Sequence, residues 1–124
     1  MGIDIYMRWE NQSQDDKETQ WSQGYSIEAG DVGYLREAYH GEPYATKHLL
    51  HEAFEAEDGE AYIPCETLRD RLPDTLKLHI RRCKDIYGED VKFTDPSAQA
   101  FTDFVELAER KTAEGCYPRF RASW

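Results

Sequence analysis

Residues 2–10, GIDIYMRWE, alternate strictly: Ile3, Ile5, Met7 and Trp9 fall on one side of an extended chain, Asp4, Tyr6, Arg8 and Glu10 on the other. Successive side chains of a strand point to opposite faces, so this period of two specifies a strand with one buried face. Such a strand is not stable alone. It demands partners in a sheet and an apolar layer to cover it. The other end of the chain repeats the pattern: in YPRFRASW, Phe120, Ala122 and Trp124 alternate with Arg119, Arg121 and Ser123. The simplest solution pairs the two terminal strands and packs helices on one face. The expected fold is α+β and two-layered, a small sheet under three to five helices.

Helical periodicity supplies the second layer. From Glu66 to Gly88, the residues Leu68, Leu72, Leu76, Ile80, Cys83 and Tyr87 recur in steps of three or four, a stripe expected to face the core. Pro73 either kinks that segment or opens a second helix. Its outward side is read as Arg69, Arg71, Lys77, Arg81, Arg82 and Lys84, basic residues that would pair with acidic ones elsewhere in the chain. A last helix starts with Asp95 as cap and Pro96 in the first turn, ends before Gly115, and buries Phe101, Phe104, Val105 and Ala108. Two more helices are expected between residues 32 and 55. The first, over 32–40, lies between Asp31 as N-cap and Gly41, with Tyr34, Leu35, Ala38 and Tyr39 on one face. The second runs from Pro43 to about Glu55 and turns Leu49, Leu50, Ala53 and Phe54 inward. AYI, residues 61–63, reads as a short edge strand, and YSIEAG, residues 25–30, as a few strand residues. The stretch 11–24 is polar, lacks a period, and reads as a loop or mobile segment within a single domain of 124 residues.

Composition narrows the classes of function. The chain is 13% aromatic, enough ring area for a core. No apolar run approaches the ~20 residues of a membrane span, and the N-terminal residues lack a secretory pattern, so a cytoplasmic protein is expected. Cys65, Cys83 and Cys116 are widely spaced with no CxxC pair, which suits reduced thiols, with Cys83 buried as a small apolar group. The net charge of −10 lies entirely in residues 1–60, where 14 carboxylates face 4 cations; residues 61–124 hold 11 of each. Such a field opposes direct contact with nucleic acid, and a nucleic-acid charge mimic is the converse expectation.

Two clusters are candidate sites. Tyr34, Arg36, Tyr39, His40 and Tyr44, joined by Trp124, offer the residue types that dominate protein contacts: rigid rings and a planar guanidinium. They lead to the expectation of a protein-interaction module, an adaptor or inhibitor without catalysis, whose partner is another protein, with a homodimer as one form. No cofactor is expected on that reading. The alternative is a divalent metal ion held by His48, His51, Glu52 and Glu55, which a helix would place at i, i+3, i+4 and i+7. Phosphate-binding loops, GxGxxG turns and serine elbows are missing from the sequence.

Overall fold

The computed structural model describes residues 2–23 and 30–124. Strands β1 (Gly2–Arg8), β2 (Tyr34–Ala38), β3 (Glu60–Tyr62) and β4 (Arg119–Ser123) form one sheet. Its order is β2-β1-β4-β3, and all neighbours run antiparallel. The two terminal strands are central and paired, as their alternation predicts. Ile5 stands opposite Leu35 on one side and Ala122 on the other, and Met7 opposite Phe120. This register gathers Ile3, Ile5, Met7, Leu35, Phe120 and Ala122 on a single buried face. The expected edge strand is β3.

Helices α2 (Ala45–Glu55), α3 (Cys65–Tyr87) and α4 (Pro96–Ala113) cover that face, with α3 packed against both α2 and α4. Leu49, Leu50, Ala53, Leu68, Leu72, Phe101, Phe104 and Val105 close the core from above. The fold is α+β. Among the described residues no helix is long and apolar enough to cross a membrane.

Several expectations are corrected. Residues 34–38 are a strand, not the middle of a helix over 32–40. Gly33 (φ +82) and Gly41 (φ +100) bracket them in left-handed geometry that ends any helix there. Asp31 lies in a one-turn 3-10 segment, Gly30–Val32, pressed so close to α4 that a Cβ on Gly30 would stand 1.9 Å from the Ala100 carbonyl oxygen. Gln14–Gln23 is a helix, α1, rather than a loop. Ser13 Oγ accepts from the Asp16 N–H at 3.0 Å, and Asp15 and Asp16 occupy the first turn. These features stabilise an N-terminus with no apolar stripe to announce it. Helix α2 begins at Ala45, one residue after its N-cap Tyr44, with Pro43 outside it. Helix α3 runs unbroken through Pro73. Pro73 and Arg69 are both exposed, so the carbonyl deprived of its donor can be met by water. The strand expected at 25–30 falls, except for Gly30, outside the described residues.

The greatest departure concerns Arg82, expected on the outward side of α3. It is buried. Its guanidinium pairs with Glu37 of β2 at 3.1 Å and donates to the carbonyls of Gly41 and Pro43, each at 2.6 Å, and of Ala38 at 3.2 Å. It also lies 4.9 Å above the centre of the Tyr44 ring. Glu37 meanwhile accepts from the N–H groups of Ala45 and Thr46 at 2.8 and 2.9 Å, capping α2 from a neighbouring strand. One buried ion pair thus ties β2, α2 and α3 together. Arg71 makes a second link, a two-point pair with Glu52 of α2, so part of the basic helix does neutralise the acidic half.

Candidate functional site

Strand β2 is an edge of the sheet, and its hydrogen-bond parity can be read off. Met7 N–H donates to the Gly33 carbonyl at 2.8 Å, making those opposed residues a hydrogen-bonded pair. Antiparallel pairs alternate, so Leu35 and Glu37 turn their backbone groups toward β1 and Arg36 turns its N–H and C=O away. Among the described residues no strand lies beyond β2. An outward row of backbone groups is what a further strand needs.

Beside this edge runs a groove of about 200 Å³. One wall is β2 at Arg36 and Ala38; the other is the C-terminal half of α3 with the first turns of α4. Cys83 and Phe101, both buried, give its lining an apolar part, and Glu37, Arg82 and Glu89 a charged one. His79 sits in the far wall with its ring 5.1 Å from that of Phe101 and its Nε2 2.9 Å from Ser97 Oγ. Burial and the nearby Arg82 charge hold the imidazole below its usual pKa, hence neutral at pH 7. The Cys83 sulfur lies 3.7 Å from Nε2 and 3.9 Å from Nδ1. No carboxylate orients the ring among the described residues, so Ser97 and His79 lack the third member of a hydrolytic triad. The pair acts as a hydrogen-bonded seam between α3 and α4.

That seam has a pH signature. The depressed pKa means the unfolded chain binds a proton that the folded chain resists. Stability from this group is complete above the unfolded value near 6.5 and is lost as pH falls toward the folded value. We expect the melting temperature to fall between pH 7 and pH 5 and this fall to shrink in His79→Gln. The carboxyls held low by arginine partners, Glu52 and Glu109, titrate below that window. Equal slopes in the two proteins would show that His79 does not contribute.

The six residues of the expected contact patch separate into three places. Tyr34 and Tyr44 are buried. Tyr34 lies on the sheet's outer face, its hydroxyl donating to Asp4, and burial followed by that hydrogen bond pushes its phenol pKa up. Arg36 pairs with the same carboxylate at 3.1 Å. His40 stands edge-on to Tyr87, their centres 6.1 Å apart. Tyr39, Tyr44 and Trp124 do converge: Tyr39 stacks on Tyr44 at 5.4 Å, Trp124 lies 5.1 Å from Phe54, and all four rings line a shallow depression. Trp124 is 56% exposed and lies outside the core.

The spacing of His48, His51, Glu52 and Glu55 is disturbed by non-helical backbone at Leu50 (φ −124, ψ 36). Glu52 is committed to Arg71, whose guanidinium also takes the Leu49 carbonyl at the break. His51 Nδ1 stands 3.6 and 3.7 Å from Glu52 and Glu55, and His48 points to solvent. Among the described residues no three His, Cys, Asp or Glu side chains are grouped to hold a metal ion.

Sequence reasoning missed the groove because its two walls come from segments read as something else: β2 as a helix, and Arg82 as a side chain on the outward side of its helix. Compared with known protein families, curated proteins and solved structures, the chain matches none of them.

Proposed function

We propose that the protein is a recognition module that binds an extended segment of another protein along the outer edge of β2. The observation that carries this reading is the adjacency of outward backbone groups at Arg36, unpaired among the described residues, to a groove with apolar side chains at Cys83, Ile86 and Phe101. Strand addition at a sheet edge uses both features, main-chain hydrogen bonds for affinity and a side-chain pocket for specificity. The bound segment presents an apolar side chain to the surface of Cys83 and Phe101. Glu89 at the groove's margin selects positive charge beside it. Exposed rings at Tyr39, Tyr87 and Trp124 extend the contact area beyond the groove.

The test is selection of peptides from a random display library on the purified protein, followed by affinity measurement on two variants. Arg36→Pro deletes the outward N–H at the centre of β2 without touching the bonds to β1, and proline is tolerated at such positions of an edge strand. Arg36→Ala keeps that N–H and removes the guanidinium with its contacts to Asp4 and Tyr34. Selected peptides are expected to bind Arg36→Pro at least about tenfold more weakly and Arg36→Ala nearly as well as the parent. Failure to enrich any sequence, or equal binding to Arg36→Pro, refutes the proposal. Pairing of two β2 edges in a homodimer would use the same groups; a sedimentation coefficient that rises with concentration identifies it.

A further inference from the structure

The outer face of the sheet carries a second feature, independent of the groove. We infer that it is an anion site for a small phosphate-bearing molecule, formed by Arg8, Lys17 and Arg121. These three cations, with Tyr6 and Ser123, line a cavity of about 270 Å³ that has no carboxylate among its described lining residues. In a chain of net charge −10 such a concentration of unneutralised positive charge stands out.

The sheet register explains how it arises. Arg121 lies directly opposite Tyr6 on one side and Glu60 on the other. Glu60 turns its carboxylate instead to Arg119, at 3.2 Å. Arg119 is thereby neutralised, and Arg121 has no ion pair among the described residues. Arg8, opposite Arg119, is diagonal to Arg121, within reach of one shared ligand. Neutral groups hold Arg8: its Nη1 donates to Gln20 Oε1 at 2.9 Å, and its guanidinium lies 5.5 Å from the centre of the Tyr6 ring. Gln20 is 1% exposed and anchored through its own amide to the Met7 carbonyl at 2.8 Å. A buried, doubly bonded glutamine therefore fixes the arginine in place without cancelling its charge. Lys17 approaches from α1 with no ion pair among the described residues.

Two fork-shaped guanidiniums and an ammonium, with hydroxyls at Tyr6 and Ser123, match the several oxygens and multiple charge of a phosphate group. The site is tested by titrating the protein with inorganic pyrophosphate, inorganic phosphate and sodium chloride at constant ionic strength, followed by amide and arginine side-chain NMR and by calorimetry. Pyrophosphate is expected to shift the signals of Arg8, Arg121 and Ser123 and to bind more tightly than phosphate. Arg121→Ala and Lys17→Ala, both altering exposed side chains, should each weaken pyrophosphate about tenfold while leaving the melting temperature unchanged. No saturable shift with pyrophosphate, equal shifts with chloride, or unaltered affinity in both variants overturns the assignment.

Discussion

Replacing Arg82 by alanine is expected to destabilise the protein by about 3–5 kcal/mol, the usual cost of stranding one half of a buried ion pair. At an m-value of about 2 kcal/mol/M this moves the urea midpoint down by about 2 M. Three consequences combine: the Glu37 carboxylate loses its counter-charge, the carbonyls of Ala38, Gly41 and Pro43 lose a donor, and the Tyr44 ring loses the cation above it. Arg82→Lys separates charge from geometry. An ammonium preserves the charge but lacks the planar fork that reaches a carboxylate and several carbonyls at once, so it should recover only a minor part of the loss. Full recovery by lysine, or a loss under ~1 kcal/mol in Arg82→Ala, would show that the pair is dispensable.

Phe104→Ala carries the second large effect, also about 3–5 kcal/mol. The Phe104 ring is fully buried and lies 5.8 Å from that of Phe120, joining α4 to the middle of the sheet. Its removal leaves a cavity bounded by a strand held on both sides, where collapse is difficult. Trp124→Ala is the informative comparison, for Trp124 is the larger ring but more than half exposed. Its loss should cost well under half as much by urea unfolding. Comparable losses would mean that Trp124 contributes to the core in solution.

The contrast between legible and illegible elements follows from how each is stabilised. Strands β1 and β4 announce themselves because each has one buried and one wet face, and alternation records that directly. Helix α4 is equally legible from Asp95, Pro96 and its apolar stripe. Strand β2 is not, since Tyr34, Leu35, Ala38 and Tyr39 satisfy a helical wheel as well; β1, far away in sequence, decides the matter by offering hydrogen bonds. The misplacement of Arg82 has a geometric cause. A ladder in steps of four advances 40° per step on a helix of 3.6 residues per turn, so Leu68, Leu72, Leu76 and Ile80 spiral away from one face. The line that faces the core and the groove instead runs Leu68, Leu72, Thr75, His79, Arg82, Ile86, alternating four and three. An arginine on that line reads as a break unless its partner is known, and Glu37 is forty-five residues away. For α1 the available signal was Ser13 with Asp16 three positions on, a capping pattern without an apolar run behind it.

The central pairing of β1 with β4 sets how the molecule responds to load. Asp4 and Ser123 stand side by side in antiparallel register, so tension applied through these two residues opens the seam like a zipper. Each interstrand bond bears the force in turn instead of sharing it. Resistance to stretching along this axis is therefore low even with an intact core, and rupture begins in the middle of the sheet while its margins are still held.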